Sequence, residues 1–135
     1  MYSTIVAPID LMAPEVSERI LSRALFHLNN SQCSVYFLSV ASANADENSL
    51  DETRSQLMAF ANKQVTAHTG RVHLDVTQGQ PSNAILNFAQ VKNADCIIVG
   101  AHRGGGQLGL NSLGSTAAKV AAQASADVCI VKSKR

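Results

Sequence analysis

The sequence contains no tryptophan and only two tyrosines. The chain therefore absorbs weakly in the near ultraviolet, and a retained heteroaromatic ligand would dominate its spectrum. An excess of either charge is also missing, since eleven Lys+Arg against ten Asp+Glu leave a net charge of +1. That balance argues against the basic footprint that neutralises a phosphate backbone, so no nucleic-acid partner is expected. Long apolar runs are absent too. Cys96-Ile-Ile-Val99 has the length of a strand, far below the roughly 20 residues needed to cross a bilayer, so no membrane association is expected. No basic segment precedes the apolar start of the chain, and Asp10 stands where a signal peptide would continue. Cytoplasmic localisation is the expectation. Cys33, Cys96 and Cys129 are odd in number and lie beside or inside β-branched runs, which suits small, reduced, buried thiols. His27, His68, His73 and His102 show no ligand spacing with one another or with the cysteines, so no metal site can be read.

What is present is a chain of 135 residues, 46% hydrophobic and 16% charged, enough to close one core. A single domain over residues 1–135 is expected. Apolar periodicity alternates between short β-branched runs and longer stretches of helical spacing, the pattern of a parallel sheet with crossover helices. Five strands are predicted: Thr4–Ile9, Ser34–Val40, Val72–Thr77, Cys96–Val99 and Val128–Val131. Val16, Ile20, Leu21, Ala24, Leu25 and Leu28 form one stripe on a helix over Pro14–Leu28. A polar loop, Ser42–Asn48, precedes a second helix near Ser49–His68. A third begins after Gln78-Gly-Gln-Pro-Ser82, and an alanine-rich fourth spans Ser115–Ala124. Lys132-Ser-Lys-Arg135 reads as a solvated basic tail.

In an open parallel sheet the ligand crevice lies beyond the carboxyl ends of the strands at the topological switch point. The first predicted strand ends in Pro8-Ile9-Asp10, and the fourth ends in Gly100, ahead of a loop carrying Gly104, Gly105, Gly106 and Gly109. Glycines let backbone N–H groups approach anionic oxygens, and Leu113-Gly114-Ser115-Thr116 adds a helix start with unpaired amides. This suits phosphate. It is neither a Walker A loop nor a Gly-x-Gly-x-x-Gly turn after the first strand. Arg103 is the one cation in the loop, with His102 beside it as a neutral donor. Asp10 reads either as a helix-capping carboxylate or as an acceptor for ribose hydroxyl or adenine amino groups. Neutralising several phosphates would call for Mg²⁺ held by phosphate oxygens and water.

Val6-Ala-Pro-Ile-Asp10, Leu38-Ser-Val40, Gly79-Gln-Pro81, Ala94-Asp-Cys-Ile-Ile-Val-Gly100 and Leu113-Gly-Ser115 resemble, in order and spacing, the universal stress protein family. The resemblance covers essentially the whole chain. The Met-Tyr opening and the His102-Arg103 pair look nearest to its short single-domain UspF/UspG-like branch. It implies an adenine nucleotide alpha hydrolase-like α/β scaffold, a single-domain open five-stranded parallel sheet of order 3-2-1-4-5 with helices on both faces. It also implies a cytoplasmic homodimer paired through the last strand, residues 128–131, and a role in stress resistance. Nucleotide-binding members carry Gly-x2-Gly-x9-Gly-(Ser/Thr) after the fourth strand. Here Gly104-x9-Gly114-Ser115 fits the second half, while three residues separate Gly100 from Gly104 and Arg103 stands at the expected second glycine. The consecutive glycines from Gly104 can absorb the extra residue as a bulge. Carried over by position, Pro8, Ile9, Asp10 and the backbone of Val40 lie against adenine or ribose. Gly100, His102, Arg103, Gly104, Gly105, Gly114, Ser115 and Thr116 surround the phosphates.

The first expectation is thus a protein that binds ATP, ADP or AMP with Mg²⁺ as a regulatory or structural ligand. No loop residue is an evident base or water-positioning group, so at most slow hydrolysis is expected. The altered first half of the glycine motif keeps open a nucleotide-free dimer acting through protein partners. An adenylating enzyme is the third alternative. It would need a phosphate loop after the first strand, where Asp10-Leu-Met-Ala-Pro14 carries neither glycine nor serine.

Overall fold

Each β-branched run forms a strand and each segment of helical spacing a helix in the computed structural model, which describes residues 1–101 and 114–132. Along the chain these are β1 (Thr4–Pro8), α1 (Pro14–Asn30), β2 (Ser34–Ala41), α2 (Glu47–Ala67), β3 (Val72–Gln78), α3 (Pro81–Val91), β4 (Cys96–Gly100), α4 (Ser115–Gln123) and β5 (Asp127–Val131). The strands form one five-stranded sheet in the order β3-β2-β1-β4-β5, and every pairing is parallel. The predicted order 3-2-1-4-5 is the observed one.

Alternate side chains on each strand point to opposite faces, and the two faces have separate cores. Ile5, Ala7, Val35, Phe37, Cys96 and Ile98 meet α1 and α2 through Ile20, Leu21, Ala24, Leu28, Leu57 and Ala61. Val6, Leu38, Ile97 and Val99 meet α3 and α4 through Ile85, Ala89, Ala117 and Val120. β1 and β4 are buried on both faces, which is why they read as continuous apolar runs rather than as alternation. Cys33 and Cys96 are buried and Cys129 is half-buried, all three as free thiols; burial pushes the Cys96 thiol up to about 12. Among the described residues no helix is long and apolar enough to cross a membrane.

The helix limits follow from local hydrogen bonding. α2 starts at Glu47, inside the stretch that its breaker residues marked as loop, because the Asp46 carboxylate accepts the Ser49 N–H at 2.9 Å and caps the first turn. At the other end of α1, polar groups take up the last carbonyls and carry the helix past Leu28. Asn30 Nδ2 donates to Phe26 O and Ser31 Oγ to His27 O. The Arg71 guanidinium, arriving just before β3, donates to the carbonyls of Leu28, Ser31 and Cys33. One charged fork thereby ties the foot of β3 to the end of α1.

The start of β1 is fixed by Asp95, whose carboxylate accepts the N–H of Ser3 at 2.9 Å and of Thr4 at 3.0 Å. Burial works against this charge, but the backbone donors outweigh it and hold the carboxyl below the usual carboxylate range. The lowered group favours the folded state above the ordinary value of 3.8, and the benefit disappears as pH falls through the folded-state value. Asp95→Asn is therefore expected to destabilise the protein by about 1 kcal/mol at neutral pH. Denaturant titrations at a series of pH values should show the two proteins converging below pH 3.8. A gap that stays constant down to pH 2 would refute the clamp.

Candidate functional site

A cavity of about 720 Å³ opens at the carboxyl edge of the sheet, over the tips of β1, β2 and β4 and between the amino-terminal turns of α1, α3 and α4. This is the switch point of the topology: α1 leaves β1 toward one face, while the chain after β4 returns as α4 on the other. Pro8, Ile9, Asp10, Val40, Gly100, Gly114, Ser115 and Thr116 all line it. Eight of the expected site residues, from four separate segments, therefore converge on one space. His102, Arg103, Gly104 and Gly105 lie outside the described residues.

The floor is rigidly set. Ile9 N–H donates to Leu38 O at 2.7 Å, and buried Ser39 Oγ donates back to Ile9 O at 2.9 Å, so the ends of β1 and β2 are cross-braced. Asp10 then leaves the sheet in a turn held by two hydroxyl contacts. Its N–H donates to Ser17 Oγ, and that hydroxyl donates to Asp10 O. The Asp10 Oδ1 atom accepts the Met12 N–H at 2.9 Å. The carboxylate thus shapes the turn between β1 and α1 and stands on the cavity wall, while the first turn of α1 itself has no side-chain cap, contrary to the capping expectation.

Gly100 makes a close approach possible. A Cβ at this position would lie 2.6 Å from Val16 Cγ2, and a valine methyl on a helix has little freedom to retreat. The first turn of α1 can lie against the tip of β4 only because residue 100 has no side chain.

The opposite wall is the start of α4. Gly114 precedes the helix with φ −65° and ψ 161°, and no side chain caps the first turn. Its own N–H donates to Ala101 O at 2.6 Å, so what Gly114 leaves to a ligand is space rather than a donor. The next amides, of Ser115, Thr116 and Ala117, have no acceptor among the described residues, and all three residues line the cavity. A helix start with exposed amides and a positive dipole end attracts an anion. Two of the other helices differ, α2 being capped by Asp46 and α3 by Gln80, whose Oε1 accepts the Asn83 N–H at 2.9 Å, while α1 has no side-chain cap and begins on Pro14.

Between the two ends the walls are apolar, with Leu38, Val99, Pro81 and Ile85 on the α3–α4 side and Leu11, Val16 and Ile20 on the α1 side. Asp10 is the sole charged side chain among the described lining residues. Such a space accepts a flat apolar body with an anionic group at one end and hydrogen-bonding groups at the other. Sequence reasoning missed Thr53 and Gln56, which reach the cavity from the middle of α2. Their polarity made them look like part of a solvated helix face, and no local motif marks them. Pro81 and Ile85, from the first two turns of α3, also line the cavity.

Residues 1–132 match the universal stress protein family, and the chain belongs to that family. Among solved structures, hypothetical protein MJ0577 is 26% identical, covering 100% of this chain and 99% of its own, with a TM-score of 0.82. A universal stress protein in complex with cAMP is 22% identical over 98% of both chains, with a TM-score of 0.73. The universal stress protein from Archaeoglobus fulgidus in complex with dAMP is 19% identical, covering 97% of this chain and 98% of its own, also at 0.73. The last two likenesses are of fold.

The Gly100–Val16 approach yields a direct test. Gly100→Ala should cost about 1–3 kcal/mol, as overpacking does, whereas in a Val16→Ala background the same substitution should cost much less. Equal losses in the two backgrounds, measured by denaturant unfolding, would show that the contact does not govern this corner of the cavity.

Proposed function

We propose that this protein is a cytoplasmic adenine-nucleotide-binding universal stress protein whose ligand acts as a regulatory or structural element in stress resistance. The observation that carries the reading is the uncapped start of α4, with the amides of Ser115, Thr116 and Ala117 facing a cavity whose other side holds Asp10 and Val40. Phosphate oxygens would accept from those amides, the base would lie between apolar walls, and Asp10 would accept from ribose hydroxyls. Relatives in complex with cAMP and dAMP support an adenine nucleotide as the ligand class. With ATP, Mg²⁺ would be held by phosphate oxygens and water, since Asp10 is the sole carboxylate among the described lining residues. Binding is the central role, with at most slow hydrolysis of the nucleotide.

Gly114 offers the sharpest test, because its extended backbone conformation suits any residue. Gly114→Asp would place a carboxylate where it caps the free amides of α4, leaving stability equal or slightly higher while repelling phosphate. Calorimetry with AMP and ATP should show at least about a tenfold loss of affinity, a change of 1.4 kcal/mol or more. The wild-type protein, denatured and chromatographed, should release an adenine nucleotide or bind one when it is added. Undiminished binding by a folded Gly114→Asp protein would move the phosphate site elsewhere.

The same proposal includes a homodimer through β5. Among the described residues this strand pairs with β4 on one side only, and Val128, Cys129 and Ile130 along it remain half-buried, so its other edge can receive a second copy. Light scattering should give twice the mass of one chain; a single-chain mass would remove the dimer.

A further inference from the structure

The cavity wall formed by α2 has no part in the site expected from the sequence, yet it supplies Thr53 and Gln56, two polar side chains one turn apart on the same helix face. They are not equivalent. Thr53 Oγ1 donates to Ser49 O at 2.9 Å, so its single hydroxyl proton is engaged within the helix. The Gln56 carboxamide has no hydrogen-bond partner among the described residues, and it borders the cavity with both a donor and an acceptor to offer.

Its position along the cavity decides what it meets. Phosphate held at the start of α4 lies over the tip of β4, and the sheet order places β1 next and β2 beyond it. Those two strand spacings, about 10 Å, carry a bound nucleotide from its phosphate at α4 past Asp10 on β1 to its base over β2. α2 packs on β2 and β3, so Gln56 belongs to the base end of the cavity and not to the phosphate end. At that end Ser39 is tied to Ile9 O and the Thr53 hydroxyl proton is engaged, so Gln56 is the lining side chain there that can both donate and accept at the edge of the base.

Resting on the nucleotide-binding reading above, we infer that Gln56 is a specificity residue that selects adenine over guanine by a two-point hydrogen bond to the base edge. The amide oxygen accepts from the exocyclic N6 amino group and the amide NH₂ donates to N7. Guanine presents acceptors at both positions and meets the amide oxygen with its own oxygen. A carboxamide is matched to the N6/N7 edge of adenine, as a guanidinium is to the O6/N7 edge of guanine.

The experiment measures AMP, GMP and 7-deaza-AMP affinities by calorimetry for the wild-type protein, Gln56→Ala and Gln56→Arg, with thermal melting as the control for folding. The wild type should prefer AMP to GMP by about tenfold and should lose a comparable factor with 7-deaza-AMP, which lacks the N7 acceptor. Gln56→Ala should bind all three nucleotides within about twofold of one another, and Gln56→Arg should turn the preference toward GMP. If the wild type binds AMP and GMP equally, or if Gln56→Ala keeps the full preference, this assignment is wrong while nucleotide binding stands. If the wild type binds none of the three, the nucleotide reading falls and the assignment falls with it.

Discussion

The position of β1 is the constraint on which the rest depends. It is the central strand, paired with β2 on one side and β4 on the other, and it is fixed at both ends by groups from its neighbours. At the foot, Asp95 collects the amides of Ser3 and Thr4; at the tip, β2 holds Ile9 by both of its backbone groups, Leu38 O accepting its N–H and Ser39 Oγ donating to its carbonyl. A strand held in this way cannot slip in register without unpairing buried polar groups, which costs more than most single contacts return. The point where the chain divides toward the two faces is therefore fixed, and a cavity over that point inherits its shape.

How each helix begins then divides structural from open surface. Side chains close the starts of α2 and α3, and Pro14 and Ser17 organise the start of α1 beside Asp10. α4 has only Gly114 before it, and its amides face the cavity. The same backbone geometry that needs a cap elsewhere provides a donor array here. Gly100 contributes in a different way, by the side chain it lacks, and brings α1 close enough to form the near wall.

Most of the scaffold was legible in the sequence because the two hydrophobic periods differ and the turns carry strong markers. The Gly79-Gln80-Pro81 turn is an example: Gly79 takes φ +133°, which a side chain would oppose, and Pro81 opens α3. Element limits were less visible where a cap decided them, as with Asp46 drawing α2 back into a polar stretch. Of the cavity's lining, the strand-tip and helix-start residues were legible, from Pro8 to Asp10 and from Gly114 to Thr116, since the topology brings those together. Thr53 and Gln56 were not, because their approach depends on how α2 tilts over β2, a tertiary property that no sequence window records. Arg71 is a similar case, a cation whose three carbonyl partners lie far from it in the chain.

The hydrogen bond between Ala101 O and Gly114 N–H joins the two borders of residues 102–113 directly to each other. The connection between those borders is thus closed by the scaffold itself, and closure entropy rises only with the logarithm of length, by about 0.6 kcal/mol for a doubling. The length of the glycine segment is consequently almost free to drift: a chain that gains or loses a residue there keeps both strand and helix in place.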